Sequence, residues 1–345
     1  MYYHRALDDE FFNLLKEGCP LRPLVDLTRE KWQGRDVYLD LQFRGDTISF
    51  YAGLTTLLQI RRDKKGNLRP RAAAAYRLRE HGVRALYCPG EFSDLVCHAR
   101  QYLERVEVRK RYLSGEGLCQ NWLSYRYGQR RRTGCGEPVA IDREVVVGYT
   151  DTAEQDLMWT EPIRKEALGL LEQISKANPE LYGRDLHKHP LGDELDLLMW
   201  EPPGTFLLAE VKGRKNAHGI YMAPIQVTAY TMVWKRFAEP KSLADLERLV
   251  DQKRELGLIA MDDDEWQSFE ASLCSPEFVP ALVVERPNRA SSCWKRLGEV
   301  IKHTSDHWPA GWGTPFVDSL RVYAACDSED GWTDVTDDFR EWGRA

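Results

Sequence analysis

Residues 192–213 read GDELDLLMWEPPGTFLLAEVKG, and this stretch decides the fold of the C-terminal half of the chain. Two short apolar runs flank residues 201–204, EPPG, whose prolines and glycine are typical of a turn. The stretch therefore predicts a β-hairpin. Asp196 lies in the first run, and Glu210 and Lys212 end the second.

The charged residues of this hairpin are of the types that a metal-dependent hydrolase needs. Alternate side chains of a strand point to opposite faces, so Glu210 and Lys212 share a face. The hairpin is expected to bring Asp196 beside them. Two carboxylates can bind a hard cation through oxygen, and a neighbouring lysine can orient or deprotonate a water molecule. The alternative interpretation is an exposed strand end that carries an ordinary surface ion pair.

Two further Asp-x-Lys triplets occur in the chain. Asp63-Lys64-Lys65 lies in a basic turn that contains a glycine, and the triplet at residues 251–253 lies in a strongly helical run. Neither triplet ends an apolar strand, and neither follows a hairpin with a carboxylate. Position therefore separates residues 210–212 from the other two triplets.

Residues 223–234 predict a helix after the hairpin. Pro224 is expected at its first turn, where a missing N–H is tolerated. The apolar stripe of this helix consists of Ile225, Ala229, Met232 and Val233. Gln226 and Tyr230 are four residues apart and are expected to share one helix face.

These pieces together resemble a known family. The order Asp196, Glu210-x-Lys212 and Gln226-x-x-x-Tyr230 is similar to the PD-(D/E)xK nuclease superfamily, and more closely to its RecB-like branch. That branch carries a Gln-x-x-x-Tyr helix after the catalytic strand. The resemblance implies a restriction-endonuclease-like fold, in which helices flank a central mixed sheet. It also implies hydrolysis of phosphodiester bonds with Mg²⁺ or Mn²⁺.

The resemblance also implies a role for each residue of the hairpin. Asp196 and Glu210 would bind the metal ion, with help from the carbonyl group of Val211. Lys212 would position and activate the attacking water and help to neutralise the developing negative charge. Leu195 stands before the aspartate in place of the proline that gives the superfamily its name.

The resemblance also implies roles for residues outside the hairpin, but it defines these roles less specifically. Gln226 and Tyr230 would brace the site or contact the nucleic acid backbone. The family places an acidic residue on a helix before the hairpin, and residues 161–174 predict such a helix. Glu166 flanks its apolar face and is the candidate for an additional metal ligand. A solvated glutamate is the alternative interpretation.

The other residues of the chain that could bind a metal ion are weaker candidates for ligands. RecB-like enzymes often have a histidine upstream of the hairpin, where His187 and His189 lie, but a loop histidine without a metal role is the favoured interpretation for each. None of the eight cysteines forms a Cys-x-x-Cys pair, so no structural zinc site is expected. Residues 262–265, DDDE, are expected to form a solvated loop, because four adjacent carboxylates cannot all face one ion.

Composition limits the class of protein. A chain of 345 residues that is 43% hydrophobic fits two domains. No apolar run reaches the roughly 18–20 residues of a membrane span, and residues 1–5 show no signal-peptide core. We therefore expect no membrane association, a cytoplasmic location and reduced, mostly buried thiols.

The charge is divided unevenly along the chain. Residues 1–140 contain 25 basic and 17 acidic side chains, a net charge of +8, whereas the remainder carries −14. The basic residues cluster at 61–65, 69–84, 105–111 and 126–132. Tyr112, Trp122, Tyr125 and Tyr127 lie in or near the last two clusters. Basic and aromatic residues together suit a nucleic acid, and a solvated basic face is the alternative.

Local patterns predict the remaining elements. Strands are expected at 37–43, 47–51, 145–147, 281–284 and 320–325, helices at 71–82, 91–106 and 293–302, and a linker at 126–138.

The sequence thus predicts a mixed α/β protein with a basic α+β domain at 1–135 and a nuclease-like domain at 141–345. We expect a metal-dependent endonuclease that acts on DNA rather than RNA, in defence or repair. The N-terminal domain would recognise substrate, guide a partner or regulate cleavage. A partner protein could activate the enzyme, and a double-strand cutter would favour a homodimer. The alternative is a non-catalytic nucleic-acid-binding or scaffold protein on a nuclease fold.

Overall fold

The chain forms two compact units. The computed structural model describes residues 1–72, 91–179, 191–238, 240–325 and 331–342. The N-terminal unit comprises His4–Ile141 and Ala244–Trp266. The C-terminal unit comprises Met1–Tyr3, Asp142–Leu243 and Gln267–Ala345.

The N-terminal unit contains a four-stranded antiparallel sheet in the order β1-β2-β3-β4. Its main elements are α1 (Asp9–Leu15), α2 (Arg22–Asp26), β1 (Asp40–Phe43), β2 (Thr47–Ala52), β3 (Thr55–Arg62), β4 (Leu68–Ala72), α3 (Phe92–Arg105) and α4 (Glu116–Tyr127). The predictions of β1, β2 and α3 are confirmed, although β1 begins later than expected. Arg71 and Ala72 lie in β4, so the helix predicted there is wrong at its start, and residues 73–82 lie outside the described residues.

The C-terminal unit is built on a six-stranded mixed sheet in the order β10-β9-β8-β7-β6-β5. The elements from this part of the chain are β5 (Val139–Val146), α5 (Thr152–Gln155), a π-helix (Asp156–Arg164), α6 (Lys165–Ala177), β6 (Glu194–Glu201), β7 (Thr205–Lys212), α7 (Ala217–Phe237), α8 (Pro240–Glu255), α9 (Asp263–Leu273), β8 (Glu277–Glu285), α10 (Cys293–Asp306), β9 (Arg321–Ala325), β10 (Trp332–Asp334) and α11 (Asp338–Trp342). β7 pairs antiparallel with β6 and parallel with β8. The mixed α/β class is confirmed.

The core of the C-terminal unit surrounds its two central strands. Every residue of β7 after Thr205 is buried, as is every residue of β8 after Glu277. Such continuous burial is typical of strands that are covered on both faces. Helix α7 packs against both strands, and the ring of Phe269 lies 5.7 Å from that of Trp200 and 6.0 Å from that of Phe206. The candidate site therefore lies at the end of a buried central strand.

Residues 244–266 belong to the N-terminal unit, although the sequence predicted one continuous domain after residue 141. Within that unit, the main chain of Leu7 donates to Gln252 Oε1 and accepts from Gln252 Nε2, both at 2.8 Å. The N–H of Arg5 donates to Asp245 at 2.8 Å. Pairings across some 240 residues of sequence leave no local pattern, so the sequence did not indicate this arrangement.

The linker predicted at residues 126–138 is wrong. The guanidinium group of Arg131 is fully buried and donates two hydrogen bonds to the carboxylate of Glu265, at 2.6 and 2.8 Å. The solvated loop predicted at 262–265 is also wrong, because Glu265 is buried and the chain enters α9 there. The N–H of Glu265 donates to Asp262, and the N–H of Asp262 donates to Glu265, as in a capping box.

The described helices include none that is long and apolar enough to cross a membrane. The six described cysteines are free thiols. Cys119 and Cys293 are buried, whereas Cys97, Cys135 and Cys274 are exposed. The expectation of mostly buried thiols is therefore wrong for the described cysteines.

Candidate active site

The hairpin predicted from the sequence is present and brings Asp196 next to β7. The register pairs Leu197 with Ala209, so Asp196 and Glu210 are the next positions towards the open end of the hairpin. Opposite residues of an antiparallel pair place their side chains on the same face. The N–H of Val211 donates a hydrogen bond to Asp196 Oδ2 at 2.7 Å, which fixes this carboxylate against β7.

Glu210 and Lys212 form a buried ion pair on β7. The ammonium group of Lys212 donates to Glu210 Oε1. Lys212 is only 7% exposed and Glu210 only 3%. Removing charges from water costs several kcal/mol per ion before their attraction offsets it. The alternative of an exposed strand end with a surface ion pair is therefore wrong.

Gln226 and Tyr230 lie together on α7, as the sequence predicted. Gln226 Nε2 donates to the hydroxyl of Tyr230 at 3.1 Å. Burial, and then the negative charges of Glu210 and Asp196, raise the pKa of Tyr230 above its usual range. These charges act on the hydroxyl because the helix places it near both carboxylates. The structure thus brings the predicted hairpin and helix residues to one place.

The start predicted for this helix is wrong. Helix α7 begins at Ala217, and Pro224 lies inside it. Asn216 caps the helix, since its side chain accepts a hydrogen bond from the N–H of Gly219 at 2.9 Å. The buried side chain of Ile220 continues the apolar pattern before the proline, which explains why the helix extends there.

Two residues near the site were missed by the sequence analysis. Asp193 precedes β6, and its charge contributes to the raised pKa of Tyr230. Tyr149 follows β5, and burial and then the charge of Asp193 raise the pKa of its hydroxyl. The acidic start of the hairpin stretch could have identified Asp193. Tyr149 is distant in sequence and carried no signal.

The donor set suits a hard cation bound by few protein ligands. Asp196 and Glu210 offer carboxylate oxygens, which Mg²⁺ and Mn²⁺ prefer, and Mg²⁺ is commonly held by one or two carboxylates with several waters. Glu166 is exposed in the first turn of α6. Among the described residues, no three His, Cys, Asp or Glu side chains are grouped to bind one ion, so Glu166 is not brought to the pair. His187 and His189 lie outside the described residues.

The other two Asp-x-Lys triplets have structural explanations within the N-terminal unit. Asp63 shapes the turn between β3 and β4 by accepting the N–H groups of Lys65 and Asn67, both at 2.9 Å. Lys253 is buried in α8 and donates to Gln42 Oε1 and to a main-chain carbonyl oxygen, both at 2.6 Å. Asp63 and Lys253 thus have structural roles in the turn and in the helix.

The aromatic residues at 122–127 are buried, as are Arg126 and Arg131, whereas Arg130 and Arg132 are exposed. The ring of Tyr125 stacks on that of Tyr38 at 3.6 Å, and Trp122 completes this buried cluster. Arg126 is buried and binds Glu137 through two hydrogen bonds, at 2.6 and 2.8 Å. The prediction that these aromatic residues would stack on bases is therefore wrong.

Comparison with protein-family models, with curated proteins and with solved structures found no match to this chain. The resemblance to the PD-(D/E)xK superfamily rests on the residues of the hairpin and of α7.

Proposed function

We propose that the C-terminal unit is a metal-dependent nuclease with a restriction-endonuclease-like fold, which hydrolyses phosphodiester bonds, with DNA favoured over RNA. One observation carries this proposal. Asp196, Glu210 and Lys212 meet at the open end of one hairpin, and the Gln226–Tyr230 pair lies near them. A buried carboxylate–lysine pair beside a second carboxylate costs free energy, and such groups concentrate at functional sites.

The surrounding architecture supports this proposal. The hairpin lies in the middle of a mixed sheet, and α6 precedes it in the chain. Helix α7 follows the catalytic strand and packs against it, and β8 then runs parallel to β7. This is the central mixed sheet with flanking helices that the resemblance implies.

Asp196 and Glu210 would bind Mg²⁺ or Mn²⁺, and the carbonyl group of Val211 stays a predicted third ligand. A bound ion would polarise a phosphoryl oxygen and lower the pKa of a bound water. The peptide N–H of Val211 holds Asp196 in place through its hydrogen bond. A carboxylate held in this way needs little reordering before it binds a cation.

Lys212 and Tyr230 would supply positioning and positive charge. Glu210 fixes the ammonium group of Lys212, which then orients the attacking water and stabilises the negative charge that develops on the phosphate. The raised pKa of Tyr230 keeps its hydroxyl protonated at neutral pH. Gln226 donates to the oxygen of this hydroxyl, which leaves the hydroxyl proton for donation to substrate.

A substrate panel tests the proposed function. Supercoiled plasmid, linear duplex, single-stranded DNA and single-stranded RNA are incubated with the full chain in Mg²⁺, in Mn²⁺ and in EDTA. We expect metal-dependent cleavage of a DNA substrate and none in EDTA. Titration with Mn²⁺, followed by electron paramagnetic resonance, provides a measurement that does not depend on turnover.

The two measurements separate the alternatives. Mn²⁺ binding without cleavage of any substrate would favour the non-catalytic nucleic-acid-binding alternative. Cleavage that persists in EDTA, or the absence of both binding and cleavage, would contradict the proposed site.

Replacing Tyr230 by phenylalanine is expected to slow cleavage about tenfold without changing the shape of the pH–rate profile. The loss corresponds to a hydrogen bond of about 1–1.5 kcal/mol. The profile should keep its shape up to about pH 10, because a hydroxyl with a raised pKa does not ionise in that range. Tyr221→Phe, at another buried tyrosine of α7, is the matched control. An alkaline limb that is present in the unaltered protein and absent from the Tyr230 variant would instead identify a tyrosinate base.

A further inference from the structure

The β3–β4 hairpin of the N-terminal unit has one buried face and one basic face. Leu58 and Ile60 pair with Ala72 and Pro70, and all four side chains are buried. The alternate positions point the other way. They carry Gln59 opposite Arg71 and Arg61 opposite Arg69, and all three arginines are exposed.

The turn of this hairpin adds further positive charge. Lys64 and Lys65 are exposed at its tip. Burial would raise the pKa of Asp63, but hydrogen bonds from Asn67, Lys65 and Arg69 outweigh it and lower the pKa to about 2. The carboxylate of Asp63 is thus engaged in shaping the turn. It holds the guanidinium group of Arg69 at 3.3 Å.

The charges on this face are only partly balanced. Arg61 pairs with Asp46 at 2.7 Å, but within the described part of the chain Lys64, Lys65 and Arg71 form no ion pair. Like charges that lie directly opposite on neighbouring strands are destabilising. Asp46 and Asp63 offset this repulsion for Arg61 and Arg69, so the unbalanced charge of the face lies on Lys64, Lys65 and Arg71.

We propose that this face, defined as the exposed side chains of Arg61, Lys64, Lys65, Arg69 and Arg71, binds the phosphate backbone of nucleic acid. This inference rests on the proposed nuclease function and assigns substrate binding to a surface of the N-terminal unit. Guanidinium groups bind phosphate through paired hydrogen bonds, and two arginines at alternate strand positions lie about 7 Å apart.

The chemistry of the face also defines how the nucleic acid is recognised. Residues 55–72 contain no aromatic side chain, so the face offers no aromatic platform for bases. The aromatic residues at 122–127 that might have served are buried. Binding therefore occurs through phosphates, independently of base sequence and with strong salt dependence.

The test measures binding in EDTA, where metal-dependent cleavage cannot occur. A fluorescein-labelled 24-base-pair duplex is titrated with the full chain at several NaCl concentrations, and anisotropy is recorded. The variant is Lys64→Gln/Arg71→Gln. The control is Lys176→Gln/Lys302→Gln, which removes two exposed charges from the C-terminal unit, each paired with an acidic residue one helical turn away. Circular dichroism verifies that each variant is folded.

We expect the hairpin variant to bind about tenfold more weakly at 100 mM salt, and its slope of log affinity against log salt to be smaller by about 2. The control should differ from the unaltered protein by less than about twofold, as two residues without phosphate contacts would. Equal binding by the hairpin variant and the control would overturn the inference. So would an absence of duplex binding at 50 mM salt, which would point to an acidic protein as the partner. If cleavage is metal-dependent but the hairpin variant binds normally, only this inference fails.

Discussion

Replacing Lys212 by methionine is expected to lower the rate of metal-dependent cleavage by about 10²–10⁴-fold. The ammonium group of Lys212 is the cation held by Glu210 in the candidate site. In the proposed mechanism, its loss removes the group that orients the attacking water and stabilises the negative charge of the transition state. Single-turnover cleavage of the best substrate from the panel, with Mg²⁺ saturating, measures the effect.

The matched control for this substitution is Lys215→Met. Lys215 lies three residues further along the chain and is exposed, so its replacement should leave the rate within about twofold. Lys212→Met also leaves the buried carboxylate of Glu210 without its cation, which destabilises the fold by about 3–5 kcal/mol. A slow variant could therefore simply be unfolded.

Lys212→Arg separates folding from catalysis. Arginine keeps a positive charge beside Glu210, so the thermal unfolding midpoint should fall less than that of Lys212→Met, although the larger guanidinium group must fit a buried site. A planar guanidinium group cannot replace the compact ammonium group in orienting a water, so cleavage should remain slow. Cleavage by the arginine and methionine variants at the rate of the unaltered protein would exclude Lys212 from the mechanism.

Asp196→Asn tests the metal ligand in the Mn²⁺ titration followed by electron paramagnetic resonance. The amide oxygen of asparagine can still accept the hydrogen bond from Val211, so the hairpin keeps its geometry. The charge that attracts the cation is lost. We therefore expect Mn²⁺ affinity to fall while the unfolding midpoint is kept, and unchanged Mn²⁺ affinity would exclude Asp196 as a ligand.

The relative positions of the candidate site residues follow from local sequence rules, whereas several features of the surrounding fold do not. The spacing of Asp196, Glu210 and Lys212 reflects strand alternation and one short turn, which are local properties. The spacing of Gln226 and Tyr230 reflects a single helical turn. The structure places all five residues as these local rules predict.

Errors arose where long-range contacts overrule local pattern. The glycines near Arg131 indicated a linker, yet a carboxylate from another part of the chain holds this side chain in the core. Tyr125 and its basic neighbours indicated a binding surface, yet the ring stacks on Tyr38, 87 positions earlier in the sequence. Pro224 indicated a helix start, whereas burial on both sides of it extends the helix. None of these partners can be identified from neighbouring residues.

Replacing Arg131 by methionine is expected to destabilise the N-terminal unit by about 3–5 kcal/mol. The guanidinium group is fully buried and binds both carboxylate oxygens of Glu265, while also donating to the carbonyl oxygen of Glu137 at 2.6 Å. Methionine fills similar space but leaves a buried carboxylate without its cation. Urea unfolding followed by circular dichroism measures the difference.

The matched control is Arg61→Met, which breaks an exposed Arg–Asp pair of similar length. An exposed pair contributes about 1 kcal/mol or less, so the control should unfold almost like the unaltered protein. Equal destabilisation by the two variants would show that the burial of Arg131 is not what makes its ion pair important.

The pH dependence of stability distinguishes the ion pair from simple packing. Burial would raise the pKa of Glu265, but hydrogen bonds from Arg131 and from the N–H groups of Gly134 and Asp262 outweigh it and lower the pKa. A carboxyl group with a lowered folded-state pKa contributes stability above its unfolded pKa and loses it as pH falls through the folded value. The unaltered protein should therefore lose stability below about pH 4.5, the ordinary range of a glutamate. Arg131→Met should lose less over that interval, because protonation relieves the charge that the substitution leaves unpaired. A parallel decline in both proteins would mean that Arg131 acts through its volume rather than its charge.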